Sequence, residues 1–394
     1  MRAGSQSGSG GWSGRWWLLA VAAAACGGSP GAADPPEDAG AQCPASDIVV
    51  ATSDYTSSEL GLLALDGGAQ FYSGGSTLGK DPALASSAGR LFWIDRYGGD
   101  VLELDPRCAT ALHGPWTTSD PGVQGSTDPQ DVAVDPKTGE LWIARFNVST
   151  VLVKTPDGST PLGTIDLSGV AGVNRNPYMT SIRIVNGKAY VALEMLNPYP
   201  QSVDPSYIVR LDVATALQTG KVEATLQLEG RNPFGQMVEY DNALYLADMG
   251  SVEQMLEKSA GIERVDLATF SSELIVSEAD IGAKVDEVSV TSGCGTAIVM
   301  GPGPENVTSL ISFDPGTGAI VTPLSSGMLY TDAGFELAGM AWLPGGLNVV
   351  GDRTVVPGKG YPVHVLQASS ACALAEQPRS LFAPQGPIAL QPVR

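Results

Sequence analysis

Short apolar runs recur along the chain, each bounded by Gly, Asn, Asp or Pro. The clearest are Leu91-Phe92-Trp93-Ile94, Leu141-Trp142-Ile143-Ala144, Ala189-Tyr190-Val191-Ala192, Leu244-Tyr245-Leu246-Ala247, Ala297-Ile298-Val299-Met300 and Leu347-Asn348-Val349-Val350. Runs this short, rich in aromatic and β-branched side chains, predict strands that are packed on both faces. Ahead of the first four runs an Asp/Asn-Pro opens one strand and a Gly or Asn opens the next. The pairs are Asp81-Pro82 with Gly89, Asp128-Pro129 with Gly139, Asn176-Pro177 with Gly187, and Asn232-Pro233 with Asn242. Their prolines lie 47, 48 and 56 residues apart. Proline is tolerated as the first residue of a strand, where no ladder donor is needed, and it is expected to hold the preceding Asp or Asn extended.

A period near fifty residues with four short strands per unit predicts a β-propeller. In the second unit the strands are expected near 82–88, 90–95, 100–105 and 109–115, and in the third near 131–135, 140–145, 150–154 and 161–166. The third strands end in Asp followed by a turn, at Asp105, Asp212, Asp266 and Asp314, because an Asp carboxylate bonds backbone amides two residues on. Units start near 81, 128, 176, 232, 285 and 335. The N-terminal unit holds only three strands, Asp47 to Ala51, Leu60 to Leu65 and Gln70 to Ser73, and Gly386-Pro387-Ile388-Ala389-Leu390 supplies its innermost one. The expected fold is therefore all-β, a seven-bladed β-propeller of four-stranded antiparallel blades closed by a C-terminal innermost strand in blade one. This closure leaves no exposed inner edge.

Residues 1–26 carry Arg2 and Arg15 and an unbroken apolar run from Trp16 to Ala25, too short to span a bilayer and suited to an export signal. The sequence Ala23-Ala24-Ala25-Cys26-Gly27 resembles the lipobox of bacterial lipoproteins, which implies lipidation of Cys26 and a membrane-anchored protein of the cell envelope. An ordinary secretory signal is the alternative. Residues 27–46 are small, polar and Pro-rich, as in a flexible tether, and 47–394 form the propeller domain. The formal net charge is −20, and residues 1–26 contain no acid. Such acidity argues against nucleic acid or an anionic membrane surface as a partner, leaving the lipid anchor as the membrane contact of a monomer.

Four cysteines remain beyond Cys26: Cys43, Cys108, Cys294 and Cys372. In an exported chain with only two histidines and no Cys-x-x-Cys, two disulfides are expected rather than a metal cluster. Spacing alone allows three connectivities. The blade register puts all four cysteines in turns on one face and pairs neighbours in adjacent blades, Cys43 with Cys108 and Cys294 with Cys372.

The turns from Asp105-Pro106 through Asp314-Pro315-Gly316-Thr317-Gly318, with the aromatic second strands before them, resemble the YncE-like and NHL-like propellers that bacteria export. That resemblance implies a fold over nearly the whole mature chain and implies no particular activity. On a propeller, the loops opening the innermost strands and those leaving the second strands emerge together around the central channel. The expected binding rim is Asp54, Asp81, Asp95, Asp128, Arg145, Asn176, Glu194, Tyr199, Asn232, Asp248 and Asp352, flanked by longer loops at 195–206 and 249–260, the latter of helical composition. Caps of strand and turn ends explain the same Asp and Asn residues. Oxygen ligands in such a ring suit Ca²⁺ or a cationic ligand. The related gluconolactonase-type propellers hold a metal with a Glu, two Asn and an Asp; Asn176, Glu194, Asn232 and Asp248 provide that composition without the family's Asn-Gly-Leu-x-x-Ser-Pro-Asp-Gly stretch. His113 and His364 fall in an outer and a third strand, away from the channel, and the chain contains no Gly-x-Ser-x-Gly elbow or phosphate loop. A tethered module that binds a protein, peptide or envelope glycan on this face is the expected function. A metal-dependent hydrolase or lactonase is the alternative.

Overall fold

The computed structural model describes residues 43, 45–73, 78–120, 122, 125–172, 175–196, 205–251, 256–301, 307–324 and 336–393. The expected signal segment with Cys26, nearly all of the tether, Tyr199 and residues 252–255 of the second long loop lie outside them. The described strands form seven four-stranded antiparallel sheets. Blade one is built from Ile48–Ser53, Ser58–Leu63 and Ala69–Ser73, and its innermost position is taken by the C-terminal strand Pro387–Pro392. Blades two to seven follow in order over 82–117, 129–166, 179–227, 233–277, 284–322 and 337–383. The expected closure thus joins the two ends of the domain in one sheet, with Val50 opposite Leu390.

Packing follows from the apolar runs. The second strands Leu141–Arg145, Ala243–Asp248 and Cys294–Met300 are buried at every residue because each is covered on both faces by neighbouring sheets. Outer strands such as Ala111–Thr117 are almost wholly exposed. The core is correspondingly divided into clusters that lie between blades: Trp142, Val151, Ile182 and Val191 join blades three and four, while Ile298, Leu310, Val350 and Leu366 join blades six and seven. Every one of the seven junctions has such a cluster.

Hairpin chemistry fixes the register. Between first and second strands, Ala88-Gly89, Asn186-Gly187 and Asp241-Asn242 all have positive φ, as a two-residue turn of type I′ requires. After the third strands, Asp314 Oδ1 accepts from the amides of Gly316 and Thr317 at 2.8 and 2.9 Å, and Asp105 and Asp266 do the same in their turns. The backbone before the prolines departs from expectation. Asp128 and Asn232 are left-handed, with φ of 53° and 59°, rather than extended. Both residue types tolerate that region, and both are held there: Ser126 Oγ and Ser206 Oγ accept their N–H groups at 2.9 Å. Their carbonyls in turn accept from Phe146 N and Met249 N.

Two disulfides, Cys43–Cys108 and Cys294–Cys372, join blade one's leading segment to blade two and blade six to blade seven, with the connectivity expected from the register. They indicate an oxidising, extracytoplasmic location. Among the described residues, no helix is long and apolar enough to cross a membrane.

Candidate functional site

The innermost strands bulge near their starts. Ladder pairing skips Gln130 in blade three, Thr180 in blade four, residues 235–237 in blade five and Asp286 in blade six. A bulged residue is released from the ladder and its side chain is re-aimed. Here the released residues Gln130, Thr180 and Gly235 turn into the channel, where they line a cavity of about 310 Å³. Amides freed by the bulges are taken up by the preceding blade: Ile182 N donates to Asp131 Oδ2, Met237 N to Ser181 Oγ, and Gly339 N and Met340 N to Glu287.

One residue below the lining, the channel is bridged. Gln236 of blade five donates from Nε2 to Leu84 O of blade two at 2.8 Å, and Arg183 of blade four joins Gln236 Oε1 to the Asp131 carboxylate. The cavity is therefore a cup with a polar floor. Its walls come from blades two to five: Asp81 and Arg96, Asp128 and Phe146, Glu194 and Leu196, and Asn232, Phe234 and Met249.

Of the expected rim, the cup brings together Asp81, Asp128, Glu194 and Asn232. Asp95, Arg145, Asp248 and Asp352 are instead the last residues of their second strands and do not line it. The residues that do lie at the mouth are the next ones along, as the backbone shows. Arg96 N, Phe146 N, Glu194 N and Met249 N donate to the carbonyls of Asp81, Asp128, Tyr178 and Asn232, so these four are equivalent positions. In blade four the second strand ends at Leu193, which makes Glu194 itself the channel-facing residue. A one-residue difference in register sends a strand's side chain to the opposite face.

The displaced residues have structural partners. Arg145 is fully buried and bonds Thr118 O, Thr150 O and Asp120. Asp54 caps its own turn through the amides of Thr56 and Ser57. Asp95 accepts from Gly98 N, and Asp352 bonds His364, whose other ring nitrogen meets Glu376. Asn176 donates to Phe146 O at 2.6 Å, fixing the backbone that presents the Phe146 ring. Asp248 is fully buried beside Glu263. Burial, reinforced by the Glu263 charge, raises its pKa well above the usual carboxylate range. Of the four composition-matched metal ligands, only Glu194 and Asn232 line the cup.

Electrostatics inside the cup are unusual for surface acids. Asp81 is ion-paired with Arg96. Burial pushes Asp128 up to about 6, with the nearby Arg96 and Asp81 charges acting in opposite directions. Glu194 lies well above the ordinary range because it is buried and because it faces the Asp128 charge. Asn232 is 4% exposed; its Nδ2 donates to Gly250 O at 2.9 Å, and its Oδ1 has no partner. Phe146 packs against Tyr178 with ring centroids 5.0 Å apart, and Phe234 is 43% exposed. Arg96, Gln130, Phe146, Thr180, Phe234 and Gly235 lie outside the expected rim, whereas Leu196 and Met249 belong to the two long loops expected to flank it. For Arg96 and Phe146 the available signal is their position one residue past an expected one.

No family model and no curated protein matches the sequence. Solved structures do. A candidate 6-phosphogluconolactonase from Bacteroides fragilis aligns with a TM-score of 0.58 at 12% identity, covering 92% of this chain and 100% of that one. A protein from Lactobacillus plantarum aligns with a TM-score of 0.57 at 14% identity, covering 89% and 99%. Hydrazine synthase from Kuenenia stuttgartiensis aligns at 0.51 and 16% identity, covering 75% and 80%. At such identities the likeness speaks for the fold alone: the chain is a seven-bladed β-propeller.

Proposed function

We propose that the protein is an exported, lipid-tethered binding propeller whose ligand sits in the cup at the channel mouth. The observation that carries this reading is the cup: a cavity of about 310 Å³, closed below by Gln236 and Arg183, with convergent polar groups set among apolar walls. Ligand sites are typically concave, largely apolar and fitted with a few placed polar groups, and this cavity is at the small end of their size range. Its residues come from four blades, so the scaffold positions them rigidly. A peptide or an envelope glycan is accommodated by inserting one terminal group. The tether expected at Cys26 keeps such a module at a membrane surface.

The test is native mass spectrometry of the purified domain after incubation with a small-molecule and peptide extract of the cell envelope. Wild-type protein is expected to retain a compound that Leu196→Trp, which fills the cup, loses. Equal retention by both proteins, or by neither, contradicts the reading. The second reading, a metal-dependent hydrolase or lactonase, draws its support from the acid-rich mouth. Stoichiometric divalent metal in elemental analysis, lost on Glu194→Gln, would favour it.

A further inference from the structure

We infer that the channel face over blades seven, one and two is a second binding surface, for an acidic polysaccharide whose sugar rings lie on Tyr55 and Tyr97 and whose carboxylates meet Arg353, Lys80 and Lys359. It adjoins the cup at Arg96 and does not depend on a ligand sitting there. The first observation is a contiguous band of exposed rings. Tyr55 is 58% and Tyr97 70% exposed, at the tops of blades one and two, and Val355 of blade seven is 54% exposed. Single exposed apolar side chains are ordinary, whereas connected ones mark interaction sites. Here the connection is direct. Arg353 reaches over from blade seven, its guanidinium 4.8 Å from the centre of the Tyr55 ring and donating to Tyr55 Oη at 3.3 Å. Ser53 Oγ, at the foot of the same loop, donates to Lys80 O at 2.7 Å, and Lys80 Nζ lies 5.5 Å from the centre of the Tyr97 ring. Lys359 over Phe382, at 5.4 Å, extends the band across blade seven. The Tyr55 ring is also held in place: its backbone is left-handed, with φ of 63°, which bulky residues seldom adopt, and Ser53 Oγ accepts its N–H at 2.8 Å. A ring already fixed loses little freedom on binding.

The second observation is that the cations of the band are unspent. Elsewhere surface cations meet acids, as Lys188 meets Asp212 and Glu223, and Arg107 meets Asp105. Among the described residues, no carboxylate pairs with Arg353, Lys80 or Lys359. The acids of the same loops are engaged: Asp54 by the amides of Thr56 and Ser57, Asp81 by Arg96, Asp95 by Gly98 N, and Asp352 by Thr354 N and His364. The net charge of −20 does not cancel the band, because charges more than about 8 Å away are screened at physiological ionic strength. A cation resting on an aromatic ring keeps N–H donors for a carboxylate. The band thus offers flat amphipathic rings and charged donors side by side. An acidic polysaccharide carries the complement of both. An acidic peptide brings carboxylates without the flat ring faces, a neutral glycan leaves the cations unmet, and a nucleic acid, with a phosphate at every residue, asks for a denser run of cations.

Isothermal titration tests the assignment with three probes: an oligogalacturonate, its methyl ester, which keeps the rings and loses the charge, and poly-glutamate, which keeps the charge and lacks the rings. The oligogalacturonate is expected to bind at least tenfold more tightly than either of the others, and less tightly as salt is raised. Its affinity should fall at least fivefold in Tyr97→Ala and in Arg353→Gln, and should be kept in Tyr97→Phe. Both side chains that are removed stand at the surface, and Lys80→Gln carries the charge test if Arg353→Gln fails to fold. Poly-glutamate or the ester binding as tightly as the acid, affinity unchanged in Tyr97→Ala and Arg353→Gln, or no heat from the oligogalacturonate overturns the assignment. Oligogalacturonate binding that is lost in Leu196→Trp but kept in Tyr97→Ala would place the glycan in the cup, which overturns this surface and leaves the binding reading intact.

Discussion

The two faces of the propeller use the same residue type in opposite ways. On the face that carries the disulfides, the third strands of blades two, four, five and six end in an Asp whose carboxylate is satisfied by its own turn. Asp105 and Asp266 accept amides two residues on; the Arg107 side chain chiefly holds Asp105, and the Thr269 amide and hydroxyl chiefly hold Asp266, below the usual carboxylate range. On the channel face, desolvation raises the half-buried Asp128 and the buried Glu194, and the Asp128 charge raises Glu194 further. Left-handed backbone gathers there too, at Asp128, Tyr178, Met195 and Asn232. Acids that close a turn stabilise the fold; acids held high beside a cavity are poised for something else. Composition treats both sets as Asp and Asn in loops.

The largest expected effect lies on the structural face. Replacing both Cys294 and Cys372 by Ala opens a loop spanning 78 residues and is expected to cost on the order of 4 kcal/mol, read as a lowered midpoint in urea. Ligand retention at moderate temperature should survive, since this bridge is far in sequence from the residues of the cup. Loss of retention at full folding would break the division between the faces.

Next comes pH. Burial raises Asp286 to about 6 and Glu287 to about 7 in the channel wall. A carboxyl group whose pKa is higher in the folded than in the unfolded chain binds more protons when folded, so stability is greatest at low pH and declines as pH rises from about 4 through 7. Melting temperature should accordingly be higher at pH 5 than at pH 8. Asp286→Asn should flatten that slope by on the order of 2–3 kcal/mol, the equivalent of about two pKa units. A wild-type melting temperature that rises from pH 5 to pH 8 would show that the channel acids ionise freely.

Gly230→Ala addresses the buried acid pair directly. An added Cβ would stand 2.1 Å from Asp248 Oδ2 and 2.7 Å from Glu263 Oε2, whose carboxylate also accepts from the amides of Glu229 and Gly230. Such overpacking is expected to cost about 1–3 kcal/mol in denaturant unfolding. The smallest effect belongs to a single turn cap: Asp314→Ala removes acceptors for Gly316 N and Thr317 N and is expected to cost about 1 kcal/mol, with no change in ligand binding.

Much of this architecture was legible in the sequence. The fifty-residue period, the wholly apolar second strands and the Asp-closed turns gave blade number, closure and disulfide pairing, because each rests on local chemistry repeated many times. Four residues of the cup, Asp81, Asp128, Glu194 and Asn232, were also within reach, since the loops that open one strand and leave the next must meet at the channel. The rest depended on two features that carry little local signal. Where a second strand ends decides whether Asp248 or Met249 faces the cup, and a single residue of slip exchanges a buried acid for a thioether. The bulges that turn Gln130, Thr180 and Gly235 inward arise from packing around the axis, where strands opposed across the channel, such as those of Gln236 and Leu84, are 152 residues apart.

A titration of ¹³C-labelled carboxyl groups by NMR tests the contrast between the faces most directly. Asp128 is expected to titrate near 6 and Glu194 well above the usual carboxylate range, while Asp105 and Asp266 titrate below it. Channel-face acids that titrate in the ordinary range would contradict the account.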